Sequence, residues 1–110
     1  MKILVKKTIL HYIHKYPAAQ TQLLIWYSEF SKYEFSTFNE LKNVYGTASI
    51  VNKNRVIFNI KGNDFRLVVS INFLQNACYI IWFGTHKEYD KINVTTVAFD
   101  TTLLTDKKTK

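Results

Sequence analysis

Residues 55–73 alternate between apolar and polar side chains on both sides of a glycine, which is the pattern of two antiparallel strands joined by a tight turn. Gly62 and Asn63 form a two-residue loop, with glycine at the first central position as a type II′ turn requires. A loop of this length fixes the pairing of the strands, so Ile60 must oppose Phe65. A slip of one residue would carry every apolar side chain to the opposite face, and the register is therefore firmly specified.

The two faces of this hairpin differ in character. One face carries mostly charged and polar groups, with Ile57 and Val68 among them, and cross-strand neighbours on it lie about 5 Å apart. We therefore predict an uncovered concavity lined by Arg55, Arg66 and Lys61. The other face is apolar throughout, and we predict that helices cover it. Its members are Val56, Phe58, Ile60, Phe65, Leu67, Val69, Ile71 and Phe73.

Three segments in the first half of the chain have the apolar period of a helix. They cover residues 5–16, residues 18–32 and a shorter stretch that begins at Ser36 or Thr37 and stops before Gly46. The side chains predicted to point inward include Val5, Ile9, Tyr12, Ile13, Tyr16, Leu23, Trp26, Phe30, Phe38, Leu41 and Val44.

Three further strands complete the predicted sheet: short strands at residues 2–4 and 48–51, and a long apolar run, Cys78–Phe83, as the last central strand. The predicted fold class is α+β, with N-terminal helices packed on one face of a mainly antiparallel, twisted sheet of four to five strands. A single domain is expected over residues 1–97, followed by a polar, flexible tail over residues 98–110.

The chain has 15 lysines and arginines against 8 acidic residues, a formal charge of +7 in 110 residues. This excess indicates a polyanionic partner, RNA or DNA ahead of an anionic membrane. No apolar run approaches the roughly 20 residues that a membrane helix needs, and the N-terminal segment does not have the pattern of a signal peptide. These features predict a cytoplasmic protein. The single cysteine, Cys78, lies inside a strand pattern and is expected to be a buried structural thiol.

A titratable cluster follows the last strand. Thr85 and Glu88 have the spacing of a capping box, which predicts a short helix beginning there. His86, Tyr89 and Asp90 would share one face of its first turn. Two interpretations are open. Either the cluster only caps and packs, with His86 paired to Asp90, or it presents reactive groups beside a helix N-terminus, which favours anions such as phosphate.

Several runs in the chain resemble the HigB family of bacterial toxins, within the RelE/ParE-like superfamily. The hairpin contributes F-N-I-K-G-N followed by R-L-V-V, and the segment after the last strand contributes G-T-H-x-E-Y-D. The helical half is similar through Trp26-Tyr27 and the spacing to Gly46. The similarity covers about residues 1–97 and implies a small RelE-like fold and the toxin of a type II toxin–antitoxin pair.

The resemblance also implies an activity, a ribosome-dependent mRNA endonuclease (an mRNA interferase) that inhibits translation without a metal or other cofactor. In such enzymes the 2′-hydroxyl of the RNA attacks the adjacent phosphate and leaves a 2′,3′-cyclic or 3′-phosphate and a 5′-hydroxyl. The implied partners are mRNA in the ribosomal A site and a HigA-like helix-turn-helix antitoxin that represses the shared operon. Contact with operator DNA would be indirect, through the antitoxin.

This reaction needs a base, an acid and a cation that stabilises charge on the phosphoryl oxygens. We predict that Arg66 holds the phosphate, because its planar fork suits an oxyanion and stays charged. His86 is the predicted general acid or base, since its unperturbed pKa lies near neutrality. Tyr89 is predicted to orient RNA, stack on a base or transfer a proton. The residues predicted to hold RNA are Lys53, Arg55, Asn59, Lys61, Lys87 and Lys91.

Two positions depart from the family pattern, since members often have a basic residue where this chain has Ser70 and an arginine where it has Ile81. These departures favour an alternative, a non-catalytic protein of the same fold. It would be a ParE-like gyrase inhibitor or a degenerate toxin that only binds its antitoxin. A third hypothesis is a stand-alone module for single-stranded RNA, which would need exposed aromatic side chains on the open face between Arg55 and Asn72. None is present there.

Overall fold

A computed structural model describes residues 1–4 and 6–98. The predicted tail over residues 98–110 therefore lies, apart from Ala98, outside the described residues, as does Val5. A 3₁₀ turn, Pro17–Ala19, separates the first two helices. The helices are α1 Lys6–Lys15, α2 Gln20–Phe30, α3 Phe38–Val44 and α4 His86–Tyr89, and the strands are β1 Lys2–Leu4, β2 Ser49–Val51, β3 Arg55–Ile60, β4 Phe65–Asn72 and β5 Ala77–Thr85.

The five strands form one sheet in the order β1-β5-β4-β3-β2. Only the β1–β5 pair is parallel, so the prediction of an α+β fold with a mainly antiparallel sheet is confirmed. The predicted hairpin register is also confirmed, since Ile60 opposes Phe65 at the turn. The predicted two-residue loop was wrong, however, because four residues, Lys61–Asp64, connect the strands. Lys61, with a φ of 56°, and Gly62, with a φ of 63°, are both left-handed, a conformation that glycine adopts without strain.

The main core lies between the helices and the predicted apolar face of the sheet. Leu23 and Phe30 of α2 are fully buried against it, and Trp26 is a core residue as predicted. Cys78 is buried too, and burial raises the pKa of its thiol. The predicted orientation of Val44 was wrong. This residue was predicted to point inward, but it is the last residue of α3 and is 45% exposed.

The opposite face of the sheet is not the uncovered concavity that the alternation predicted. A second apolar cluster occupies its centre, where Ile57 and Val68 oppose each other and are buried with Ile81. Val94 and Val97, from the segment after α4, pack against this cluster. The physical reason is that these strands have apolar side chains on both faces, and apolar surface is stabilised by removal from water.

Hydrogen bonds hold the same segment against the sheet. Arg55 Nη1 donates to the carbonyl of Val94 at 2.9 Å, and Asn52 Nδ2 donates to the carbonyl of Thr95 at 3.0 Å. The segment therefore covers the end of this face that lies at the turn between β2 and β3. It leaves the other end, near Gly62, uncovered.

Ile57→Ala tests whether this second cluster stabilises the fold. We expect a loss of about 2–3 kcal/mol in the free energy of unfolding, the lower part of the range for large-to-alanine changes in cores, because the cluster is small. Asn59→Ala is the matched control, since Asn59 lies on the same face of the same strand but is exposed; it should change stability by no more than about 0.5 kcal/mol. Chemical denaturation measures both, and equal effects would contradict the covered face.

Candidate active site

The short helix α4 is held at the end of β5 by a capping box. Thr85 Oγ1 accepts from the Glu88 N–H at 3.1 Å, and the Thr85 N–H donates to Glu88 Oε1 at 2.9 Å, which confirms the predicted pattern. The next N–H, that of His86, donates to the Asp64 carbonyl at 3.0 Å and ties the helix to the β3–β4 turn. These bonds fix α4 relative to β4.

Sequence reasoning missed a second anchor, which comes from Tyr16, the residue that follows α1. The Tyr16 hydroxyl donates to Glu88 Oε1 at 2.6 Å across 72 residues of chain. This bond, followed by that from Thr85, lowers the pKa of Glu88, whereas burial raises the pKa of Tyr16. The phenol therefore remains a donor and the carboxylate an acceptor at neutral pH. The anchor weakens on the acid side as the pH falls through the lowered pKa of Glu88, and on the alkaline side as the pH rises through the raised pKa of Tyr16.

Gly84 permits the close return of α4 over β5. A Cβ at this position would lie 2.7 Å from the ring of Trp82 and 2.8 Å from Glu88 Oε1. Both distances are below any ordinary contact, so a larger residue would displace the capping carboxylate. The glycine that begins the run G-T-H-x-E-Y-D is therefore required here for a steric reason.

Arg66 lies opposite Gly84 and Asn59 in the sheet, beside α4. Its side chain is half-buried, and its guanidinium donates to the carbonyls of Phe65 at 3.1 Å and Asn63 at 3.3 Å and to Asn63 Oδ1 at 3.2 Å. These bonds orient the planar group and use three of its five N–H donors. The others can donate to an anion.

Arg66 lies close enough to Tyr89 for its positive charge to affect the pKa of the phenol. Burial raises the pKa of the Tyr89 phenol, the positive charge of Arg66 lowers it, and Asp90 raises it. The net shift is upward, so the phenol stays protonated at neutral pH. Its ring centroid is 6.2 Å from that of Trp82, which supports it from the side of β5.

His86 is exposed, with 49% of its side chain accessible, and its Nε2 lies 3.6 Å from Asp90 Oδ1. The predicted pairing at this i, i+4 spacing is therefore present. An exposed imidazole oriented by a carboxylate is able to exchange protons with a substrate, so the pair is compatible with both interpretations of the cluster.

The structure brings some of the predicted residues together and separates others. Arg55 lies four residues along β3 from Asn59, about 13 Å at the usual strand rise, with buried Ile57 between them. The prediction that Arg55 and Arg66 line one concavity was therefore wrong. Lys53 lies at the same far end as Arg55. Asn59 and Lys61 are exposed near Arg66, and Lys87 is exposed on α4. Lys91 instead lines a cleft beside α1.

Comparison with known proteins identifies the family. Residues 19–92 match the profile described as HigB_toxin, RelE-like toxic component of a toxin-antitoxin system. The chain belongs to this family. It is 30% identical over 92 residues to the mRNA interferase toxin HigB of Escherichia coli K12, an alignment that covers 82% of this chain and 88% of the relative. The proteins named mRNA interferase HigB from Escherichia coli O157:H7 and Shigella flexneri match with the same identity and coverage.

Membership of the HigB family makes the chain the toxic component of a pair and implies an antitoxin partner. The structure shows where Ile81 and Ser70 lie, the two residues that were expected to depart from the family pattern. Ile81 is an extra residue in a β-bulge, between the pairs Val69–Ile80 and Val68–Trp82, and it packs into the second apolar cluster. Ser70 is half-buried opposite Arg55.

Within residues 1–4 and 6–98, no three His, Cys, Asp or Glu side chains are placed to hold a metal ion. Within the same residues, no helix is long and apolar enough to cross a membrane.

Proposed function

We propose that this HigB-family toxin is an mRNA interferase, an endoribonuclease that cleaves mRNA. The observation that supports the proposal is the grouping of Arg66 and Tyr89 on an anchored helix–strand junction, with His86 on the same turn of α4. The curated relatives carry this activity in their names. A site at the end of the sheet nearest the Gly62 turn is also the part of the face that the segment around Val94 leaves open.

In the proposed reaction, the 2′-hydroxyl loses its proton and forms a bond to the adjacent phosphorus. The bond from phosphorus to the 5′-oxygen breaks, and that oxygen gains a proton. The products are a 2′,3′-cyclic or 3′-phosphate and a 5′-hydroxyl, with no metal required. Negative charge builds up on the non-bridging oxygens, where the oriented guanidinium of Arg66 donates its free N–H groups.

The upward shift of the Tyr89 pKa supports a proposed role for this phenol as a proton donor. A phenol held protonated suits a proton donor to the leaving oxygen or to a non-bridging oxygen. His86, exposed and paired with Asp90, is then the proposed base for the 2′-hydroxyl. The two groups lie three residues apart on α4, on one face of one helical turn.

The proposed substrate is mRNA in the A site of the translating ribosome, and the proposed antitoxin is a HigA-like helix-turn-helix protein. The charge of +7 supports a polyanionic partner, since basic side chains displace counterions from phosphates. Exposed Lys61, Lys87 and Asn59, near Arg66 or on α4, are proposed to contact the RNA backbone; Lys53 and Arg55 would contact it at the far end of the sheet. The proposed site of action is the cytoplasm.

The chemistry is tested with a defined mRNA carrying a single 2′-deoxy nucleotide at the main cleavage position. We expect no cut at that position, while the same substitution at a distant position leaves cleavage unchanged. The downstream fragments of the normal mRNA should accept phosphate from polynucleotide kinase directly, because their 5′ ends are hydroxyls. Cleavage at the deoxy position, or 5′-phosphate ends, would contradict attack by the 2′-hydroxyl.

Tyr16→Phe tests whether the bond from Tyr16 to Glu88 positions the reactive groups on α4. We expect the rate of mRNA cleavage to fall by about tenfold, because small displacements of catalytic groups are costly. The control is Tyr45→Phe, since the buried Tyr45 hydroxyl has no hydrogen-bond partner among the described residues. Its rate should equal that of the wild type. A loss of rate in both variants, or in neither, would contradict a positioning role for Tyr16.

A further inference from the structure

An aromatic ring is exposed on the face of the sheet that carries Arg66, at the end remote from the candidate site. Tyr79 of β5 is 39% exposed. The residues on either side of it, Cys78 and Ile80, are buried in the main core, so the Tyr79 side chain points to the opposite face. The other exposed tyrosine of the chain, Tyr33, is instead stacked on a neighbouring ring outside the sheet.

The register of the sheet places a small residue and a cation beside Tyr79. Tyr79 opposes Leu4 of β1 on one side and Ser70 of β4 on the other, and Ser70 in turn opposes Arg55 of β3. The small Ser70 side chain therefore lies between the tyrosine ring and the guanidinium, with neighbouring strands about 5 Å apart. Arg55 donates one N–H to the carbonyl of Val94 and has further donors for an anion.

This end of the face is basic. Lys2 of β1 and Lys53 of the turn between β2 and β3 are exposed there, which with Arg55 gives three positive charges. No acidic residue occurs in the three segments that form this end, residues 2–4, 49–55 and 70–79. A phosphodiester chain therefore meets cations here without an opposing carboxylate from these segments.

An exposed aromatic ring on a sheet, flanked by cations, suits single-stranded RNA. An unpaired base stacks on the ring, and the cations bind the phosphates on either side of it. A protein partner fits less well, because the buried centre of a protein interface is depleted of charged residues. The neighbours of Tyr79 on this face include charged Arg55 and Lys2 and polar Ser70 and Asn72.

The ring and the candidate site can be reached by one RNA strand. Ser70, the partner of Tyr79 on β4, lies four residues from Arg66, about 13 Å at the usual strand rise. A few nucleotides of single-stranded RNA span this distance. The segment around Val94 packs on the apolar cluster between the two ends, but it does not bury Tyr79.

We propose that Tyr79 stacks on an unpaired base of the mRNA a few nucleotides from the cleaved bond, while Arg55 and Lys2 bind the adjoining phosphates. The proposal rests on the proposed function and adds to it a second contact with the same RNA. Because every base has a π face, this contact strengthens the binding of mRNA with little preference for sequence.

The first test measures binding of the toxin to translating ribosomes whose mRNA has a 2′-deoxy nucleotide at the cleavage position, a readout that needs no cleavage. Tyr79→Leu should weaken binding by about tenfold, because it removes one base–aromatic stack. Tyr79→Phe keeps the ring and should bind like the wild type. The matched control is Tyr33→Leu, since Tyr33 is 38% exposed but lies outside the sheet. Equal binding by Tyr79→Leu and the wild type would overturn the proposal.

The second test places 5-iodouridine, which cross-links to stacked aromatic side chains on irradiation, at single positions on either side of the deoxy nucleotide. We expect one position to cross-link to the peptide containing Tyr79, and this cross-link should be absent in Tyr79→Leu. Cross-links confined to α4 and the peptide containing Arg66, with normal cleavage of unmodified mRNA, would overturn the Tyr79 contact and leave the proposed function standing. A wild-type toxin that neither cuts nor cross-links would contradict both.

Two further results would assign Tyr79 to a different partner. If Tyr79→Leu lost the same affinity for ribosomes without mRNA, the contact would be with ribosomal RNA. If it lost affinity for the antitoxin while its binding to ribosomes stayed unchanged, the ring would belong to a protein interface. Either result would overturn the proposed contact with mRNA.

Discussion

Arg66→Ala should reduce the rate of mRNA cleavage by about a hundredfold to a thousandfold, the usual loss when an oriented donor to a developing oxyanion is removed. The side chain is half-buried outside the main core, and within residues 1–4 and 6–98 its hydrogen bonds reach Asn63 and the Phe65 carbonyl. We therefore expect a loss of about 1 kcal/mol or less in the free energy of unfolding, the net value of ordinary hydrogen bonds. Single-turnover cleavage and chemical denaturation measure the two quantities separately.

Arg66→Lys is the matched control for the geometry of the guanidinium. Lysine keeps the positive charge but lacks the planar fork, so we expect it to recover only part of the rate. Full recovery would indicate that only charge matters at this position. A wild-type rate in Arg66→Ala would remove Arg66 from the proposed site.

Leu67→Ala should have the opposite effect, a loss of about 2–5 kcal/mol in the free energy of unfolding. Leu67 is fully buried, and its neighbours in the sheet are Phe58 and Phe83 of the main core. Truncation there removes apolar contacts and leaves a cavity. Chemical denaturation measures the loss, and the rate per folded molecule should remain close to that of the wild type.

Arg66 and Leu67 are adjacent in β4, so the comparison of these two variants tests the assignment of the faces. If both variants unfolded alike, or if Leu67→Ala lost activity without losing stability, the assignment would be wrong. A more conservative change, Leu67→Ile, should cost less than about 1.5 kcal/mol because it conserves volume.

Local patterns predicted the features that local physics decides. The register predicted from the turn at Gly62 is the one that the structure has, although the loop is longer than predicted, and the spacing of Thr85 and Glu88 predicted the capping box. Both depend on residues within a few positions of each other, where steric and hydrogen-bonding rules are strong. The main core followed from the apolar face of the hairpin for the same reason.

Long-range contacts were less accessible from the sequence. The bond from Tyr16 to Glu88 joins residues 72 apart, and neither local pattern indicates the other. The bulge at Ile81 shifts the register inside a continuous apolar run, where alternation gives no signal. A signal for the covered face was available, since Ile57 and Val68 oppose each other on the side predicted to be open.

In the candidate site, too, local patterns predicted some features and long-range packing decided the others. His86 and Tyr89 were predicted to share a helix face, and Arg66 lies close enough to Tyr89 for their charges to interact. The prediction that Arg55 joins them was wrong, because the Val94 segment binds Arg55 at the far end of β3. Charge and strand parity could place both arginines on one face, but only the packing of a distant segment decides which part of that face stays open.

The measurement that tests the central proposal most directly is the mapping of cuts on a defined mRNA by purified protein, with and without translating ribosomes. Wild type would be compared with Arg66→Ala, His86→Ala and the surface control Lys32→Ala. We predict cuts only on translated mRNA, present for wild type and the control and lost in the other two variants. The absence of cuts by wild type under both conditions would contradict an mRNA interferase. It would favour the non-catalytic alternative, for which inhibition of gyrase supercoiling is the direct assay.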